Sequence, residues 1–172
     1  MDTEGSPLST FLSGEWRYSK TFLDGEGFAF VAGPNTNGVS KLALLRFGQD
    51  LVWRDRVQVI AVRSMFSFGL DVLGATRKSC VAGFVGEFPC SEVPDGTFFA
   101  WLGQLQWARR FDALFGIETV FRTDLQLANR PLLGLEQFAI GGHATVRGYR
   151  ENQLVRDQGV VSSIELRIPV WK

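Results

Sequence analysis

The sequence predicts an all-β protein of antiparallel up-and-down strands, and three observations support this fold class. Side chains alternate between apolar and polar along several stretches of about ten residues, as in strands with two different faces. The connections between these stretches alternate between short and long. The composition, with 13% aromatic residues and 19 glycines among 172 residues, favours strands joined by many turns.

About seven stretches show the alternation. They are residues 9–20, 22–32, 39–51, 57–71, 98–108, 114–128 and 160–170. The pattern is clearest in 57–71, where Ile60, Phe66 and Phe68 share one face. Arg63 lies on the other face, so one side of the strand is apolar and the other is polar.

The connections are about 2, 6, 5, 26, 5 and 31 residues long, and this asymmetry is typical of outer-membrane barrels with tight periplasmic turns and long outer loops. The aromatic residues also sort by strand end. The short-turn end is predicted to hold Trp16, Tyr18, Trp53 and Trp107. The long-loop end is predicted to hold Phe28, Phe30, Phe66, Phe68, Phe99 and Trp101. Two aromatic belts are what membrane interfaces select.

A soluble β-sandwich explains the alternation equally well, although it does not explain the loop asymmetry. No run of about 18 apolar residues predicts a transmembrane helix, but a barrel strand needs only about 9–11 residues with alternate apolar positions. In a barrel, Glu118, Arg122 and Asp124 would have to face the lumen because charged side chains are costly in lipid. The pattern alone leaves both folds open.

Enzyme and nucleic-acid functions are disfavoured. The formal net charge is zero, so there is no basic footprint for nucleic acid. A single histidine, His143, and two cysteines cannot make an ordinary zinc site. Glu118 and Asp124 share a face at a separation of about 20 Å, which is too far for a glycosidase pair. We therefore expect no enzyme activity, no cofactor and no small-molecule substrate.

The stretch Glu136–Arg150 differs from the strands on either side of it. Gly141 and Gly142 can adopt positive φ and are predicted to form a loop hinge. The V-R-G-Y motif that follows is Val146, Arg147, Gly148 and Tyr149. The planar guanidinium of Arg147 suits bidentate pairing with a carboxylate, whereas an ordinary surface arginine is the alternative interpretation.

A family resemblance rests on this loop. The sequence E-Q-F-A-I-G-G-H-A-T-V-R-G-Y-R-E-N, followed by D-Q-G-V-V-S-S-I-E-L-R-I-P-V, resembles the sixth extracellular loop and the next strand of two-partner secretion transporters. These are the TpsB-type outer-membrane barrels that activate and secrete haemolysins and adhesins. R-S-M-F-S-F-G-L-D-V-L-G-A-T and D-L-Q-L-A-N-R-P-L-L-G-L-E-Q-F are also similar to that family, and the likeness covers roughly residues 40–172.

The resemblance implies a bacterial outer-membrane protein in contact with lipid, whose partner is a secreted exoprotein. Arg147 would hold its loop inside the lumen by pairing with a carboxylate. In the family that carboxylate belongs to a downstream F-x-D-x-G motif, which this sequence lacks, so Glu118 or Asp124 would be a substitute partner. The lumen wall would comprise Arg63, Gln104, Gln106, Glu118, Arg122, Asp124, Glu165 and Arg167. Cys80 and Cys90 lie in one long outer loop and would form a structural disulfide in an oxidising location.

The family's periplasmic POTRA domains and its final strands have no counterpart here. The first residues also lack the basic start and apolar run of a secretory signal. We therefore expect residues 1–172 to be a partial outer-membrane barrel domain with two unpaired sheet edges. The alternatives are an outer-membrane insertase of the same superfamily and a soluble β-sandwich binding module.

Overall fold

A single antiparallel sheet forms the body of the protein. The computed structural model describes residues 8–29, 33, 37–78, 84–85, 88–112, 116–142, 145–146 and 148–170. The main sheet consists of six strands, β1 (Leu8–Lys20), β4 (Val39–Arg54), β5 (Gln58–Leu70), β8 (Phe99–Phe111), β9 (Ile117–Ala128) and β12 (Gly159–Arg167). The strand order is β1-β4-β5-β8-β9-β12, so every neighbour in the sheet is also the next long strand along the chain. The predicted up-and-down fold is confirmed.

The predicted strand over residues 22–32 is wrong. Its described part folds into a small hairpin between β2 (Phe22–Leu23) and β3 (Glu26–Gly27). Asp24 has a φ of 50° and Gly25 a φ of 86°. Two consecutive left-handed residues are the geometry of a tight hairpin turn, which reverses the chain where a continuous strand was expected. Residues 30–32 lie outside the described residues.

The long loops lie at one end of the sheet and the short turns at the other, as the sequence predicts. The connection after β1, however, is a long loop where a short turn was predicted. The first loop (residues 21–38), the second loop (71–98) and the third loop (129–158) all lie at one end of the sheet. The turns at 55–57 and 112–116 lie at the other end. Because β1 runs directly into the first loop, Trp16 and Tyr18 lie at the long-loop end, and their predicted place beside the short turns is wrong.

The second and third loops contain short β-hairpins of their own. In the second loop, β6 (Phe84–Val85) pairs with β7 (Phe88–Pro89). In the third loop, β10 (Phe138–Ile140) pairs with β11 (Leu154–Arg156). The segment from residue 130 to residue 137 precedes the second of these hairpins, and we call it the anchor segment.

The two faces of the main sheet differ in character. The outer face carries the alternate residues that include Trp16, Phe66 and Ile164, and the inner face carries those that include Arg63. On the outer face Trp16 is 53% exposed and Ile164 69% exposed. Phe66 stacks on Phe47 at 6.4 Å and on Phe99 at 6.1 Å between ring centroids. No second sheet covers this face within the part of the chain that the structure describes, and no helix there is long and apolar enough to cross a membrane.

The most buried side chains lie on the inner face, at the long-loop end. The cluster consists of Leu42, Leu44, Phe98, Ala100, Ala128, Leu132 and Leu133. Leu132 and Leu133 come from the anchor segment, and the other members come from the sheet or from the end of the second loop. The core of the protein is therefore a contact between the third loop and the wall of the sheet.

Candidate functional site

The strand register places the predicted wall residues on one face. Arg63 is opposite Gln104, which is opposite Asp124, and Gln106 is opposite Arg122. The same parity continues through Glu118, Arg167 and Glu165 to the edge strand. All eight residues therefore lie on the inner face, where a closed barrel would have its lumen.

Two of the predicted site residues, Arg147 and Cys80, lie outside the described residues, as do His143 and Phe30. The structure therefore does not test the pairing of Arg147 with a carboxylate. Cys90 is described and is engaged in a disulfide. The predicted role of Arg147 stays a prediction.

The glycines around the V-R-G-Y motif occupy tight positions. Gly141 has a φ of 127° and Gly142 a φ of 89°. A Cβ on Gly141 would lie 2.3 Å from the carbonyl oxygen of Arg150, so only glycine allows the two sides of the loop to approach this closely. Thr145 closes the bend, since its Oγ1 accepts from the Gly141 amide at 2.8 Å and donates to the Gly141 carbonyl at 3.0 Å. Tyr149 is 60% exposed.

The anchor segment docks on the inner face through two leucines. Leu132 and Leu133 are each only 1% exposed, and they pack with Leu42 and Leu44 of β4. Complete burial of a leucine side chain stabilises a structure by about 1.5–3 kcal/mol. The docking of this segment therefore has a substantial apolar contribution.

An acidic side chain extends the docking into the polar part of the wall. Glu136 accepts hydrogen bonds from Arg46 Nη2 at 2.8 and 2.9 Å and from Arg17 Nη1 at 2.8 Å. Its side chain is 7% exposed. Glu15 accepts from Arg17 Nη2 at 2.8 Å, and its Oε1 lies 3.2 Å from Arg46 Nε, near enough for ion pairing but without hydrogen-bond alignment. Two acids and two arginines thus form a neutral cluster.

Burial dominates the electrostatics of Glu136. Loss of water around its carboxylate raises the pKa of Glu136 above the ordinary glutamate value, although Arg46 and Arg17 oppose the shift and Glu15 adds to it. The arginines therefore offset only part of the cost of removing the charge from water.

Two polar side chains secure the base of the third loop. Asp157 Oδ1 accepts from the Leu132 amide at 2.9 Å and from Gln137 Nε2 at 3.0 Å. Gln126 Nε2 donates to the carbonyl of Glu136 at 3.0 Å and to that of Asp157 at 3.2 Å. Because Gln126 belongs to β9 and Asp157 precedes β12, the two ends of the loop are fixed to each other and to the wall.

The rest of the inner face remains open. Arg63 Nε donates to Asp50 Oδ1 at 2.6 Å, and Gln104 Nε2 donates to Asp124 Oδ1 at 3.0 Å. These groups border a cleft of about 530 Å³ that also includes Arg122. The cleft presents both signs of charge and amide groups to the space in front of the sheet.

Sequence reasoning missed the docked cluster. In the sequence Glu136 marks only the start of the loop, and no pattern connects it with Arg46, Arg17 or Glu15. The available signal was the apolar pair Leu42 and Leu44 on the face of β4 that also carries Arg46 and Asp50.

Comparison with known proteins supplies two findings. The family model of the haemolysin secretion/activation proteins ShlB/FhaC/HecB matches residues 40–172. The solved structure of CdiB from Escherichia coli is similar to this chain with a TM-score of 0.71 at 20% sequence identity, over 96% of this chain and 28% of that chain. At this identity the likeness concerns the fold, and the chain spans 28% of the length of that structure. No curated protein matches the sequence.

Proposed function

The chain belongs to the ShlB/FhaC/HecB family of haemolysin secretion/activation proteins, and from this membership we propose that it forms part of an outer-membrane pore that exports a large exoprotein. Proteins of this family reside in the outer membrane of Gram-negative bacteria. In the proposal, residues 1–172 are part of one barrel domain whose remaining strands complete the wall. The exoprotein, of haemolysin or adhesin type, passes through the lumen in an extended form.

The docking of the third loop on the inner face is the observation that carries this proposal. Leu132 and Leu133 are buried against the sheet, and Glu136 is bound by two arginines of the same face. A loop that folds onto the inner face of a barrel wall lies in the path of anything that crosses the lumen. Its position can therefore decide whether the pore is open.

The character of the two faces agrees with a membrane location. Apolar side chains such as Trp16, Ile164 and Leu166 are exposed on the outer face, where lipid would cover them. The charged and amide side chains of the inner face would contact water in the lumen. A β-sandwich requires a covering layer over the apolar face, and the described residues contain none.

Within the proposal, Arg147 holds the tip of the docked loop in the position that transport requires. Val146, Gly148 and Tyr149 shape the turn around it, and the positive φ of Gly148, 91°, belongs to that shape. The partner of Arg147 is a carboxylate of the lumen wall, for which Glu118 and Asp124 are candidates on the inner face.

The test is Arg147→Ala in the full-length transporter, with secretion of the exoprotein as the readout. We expect the barrel to insert normally and secretion to fall about tenfold or more, because the proposed charge-assisted pair with a carboxylate of the lumen wall would be lost. Arg150→Ala is the matched control, since it removes an exposed arginine three residues away and should leave secretion unchanged. Undiminished secretion by the Arg147→Ala protein would contradict the proposal.

A further inference from the structure

We propose that Glu136 is a positioning residue for transport, which fixes the third loop to the lumen wall by accepting hydrogen bonds from Arg46 and Arg17. The inference rests on the proposed pore function and adds to it a second fixed point of the loop. This point lies eleven residues before Arg147 in the sequence. It is independent of any partner that Arg147 finds.

The geometry indicates that the two arginines bind Glu136 as a hydrogen-bond acceptor, and that its side chain does more than fill space. Both carboxylate oxygens of Glu136 accept from Arg46 Nη2, at 2.8 and 2.9 Å, and one of them also accepts from Arg17 Nη1. The arginines come from β4 and β1, so two strands of the wall bind one side chain of the loop. Arg17 Nη1 also lies 3.5 Å from the carbonyl oxygen of Leu135.

The wall retains one acid beside its two arginines when Glu136 is removed. Glu15 pairs with Arg17 at 2.8 Å and with Arg46 at 3.2 Å, and all three residues belong to the sheet. Loss of the Glu136 carboxylate therefore leaves the two cations with a remaining partner. The loss should therefore weaken the docking of the loop, whereas the sheet itself should still form.

The local backbone depends on the same contact. The Glu136 amide donates to the Leu133 carbonyl at 2.8 Å in a tight turn, and the Glu136 carbonyl accepts from Gln126. The turn places Leu133 in the apolar cluster and the Glu136 side chain at the arginines. A cleft of about 180 Å³ lies between Leu135 and Gln137 of the segment and Met65 and Leu102 of the wall. Docking therefore depends on a few directed contacts in addition to apolar burial.

The experiment compares Glu136→Leu with Glu136→Gln in the full-length protein in lipid. The two side chains have similar volume, but only glutamine keeps an oxygen that can accept from the arginines. Hydrogen exchange of the backbone amides of residues 130 and 132–137 measures the docking directly, since Pro131 has no amide hydrogen. We expect Glu136→Leu to accelerate this exchange by about tenfold or more, and Glu136→Gln to have a clearly smaller effect.

Glu151→Leu is the matched control, because Glu151 is an exposed acid of the same loop. Its exchange in residues 130–137 should equal that of the unmodified protein. Equal acceleration by Glu136→Leu and Glu136→Gln, or no acceleration by either, would overturn the positioning role. Secretion is measured in parallel. If Glu136→Leu gave faster exchange with normal secretion, Glu136 would anchor the loop but would not matter for transport. The role proposed for the loop tip is decided separately, by the Arg147→Ala result.

Discussion

The inner face of the sheet has two halves that differ although they belong to the same strands. At the long-loop end it is covered by the anchor segment, and Leu44, Ser67 and Ala100 are buried there. Towards the short turns it is open, and Arg63 keeps a side-chain exposure of 53%. The same alternation therefore produces a packed surface in one half and a charged wall in the other.

This difference shows that alternation specifies the face of a residue but not what covers it. In the covered half, Leu44, Ser67 and Ala100 stand at inner positions beside the arginines that bind Glu136, whereas the open half presents Arg63 and Asp124 to the space in front of the sheet. The small and aliphatic residues on this face mark where the loop docks. In a pore, the covered half would narrow the passage and the open half would be in contact with the exoprotein.

The largest effect should come from removing apolar contact in the covered half. Leu133→Ala deletes most of a side chain that is 1% exposed and packed against the wall. We expect the free energy of docking of the anchor segment to fall by about 2–5 kcal/mol, which is the range for buried leucine. Hydrogen exchange of residues 130–137 in lipid would measure it.

Leu154→Ala is the comparison, since Leu154 belongs to the same loop and is 55% exposed. Its effect should stay within about 0.5 kcal/mol. If the two alanine variants behaved alike, the covered half would not be a packed core, and the contrast between the halves would disappear.

A smaller effect is expected from pH. Because burial raises the pKa of Glu136, the docked loop binds a proton more readily than the released loop does. Docking should therefore strengthen as pH falls from above the raised pKa towards the ordinary carboxyl range, and it should weaken as pH rises. Arg46, Arg17 and Glu15 are the charged groups that contact Glu136, and the attraction of the two arginines limits the size of the change.

The measurement is the protection of residues 130–137 against exchange at several pH values, corrected for the intrinsic exchange rate. The Glu136→Gln protein should lose the pH dependence because its amide does not titrate. A protection that weakened as pH fell would indicate an ordinary salt bridge, and the burial of Glu136 would then not control the docking.

Most of the fold could be predicted from the sequence, because the face on which a strand residue lies follows from alternation with its neighbours in the sequence. Six of the predicted strands form the main sheet, since their alternation holds over nine residues or more. The failure at 22–32 also has a local cause, because Asp24 and Gly25 adopt a turn that interrupts the alternation. Because residues 22–32 do not form a strand, β1 leads into the first loop. Trp16 therefore lies at the long-loop end, where the short-turn end was predicted.

The ionic cluster around Glu136 could not be predicted from the sequence in this way. Arg17 and Glu136 are 119 residues apart in the sequence, and Arg46 and Glu136 are 90 apart. No periodic pattern connects a loop acid to arginines on two distant strands. Recognition of such a contact requires the register of the sheet and the path of the loop, which only the three-dimensional structure supplies.

The smallest structural effect should follow a substitution in the open half. Arg63→Gln removes a cation whose ion pair with Asp50 is partly in water, and such pairs contribute little to stability. Exchange of residues 130–137 should therefore match that of the unmodified protein. In the proposed pore, however, Asp50 and Asp124 would remain with one fewer positive charge beside them, so ion selectivity should shift towards cations. The reversal potential of the full-length protein in a planar bilayer under a salt gradient would measure this shift. Faster exchange in the anchor segment would show that the two halves of the inner face form one cooperative unit, because a change in the open wall would then have released a loop that it does not contact.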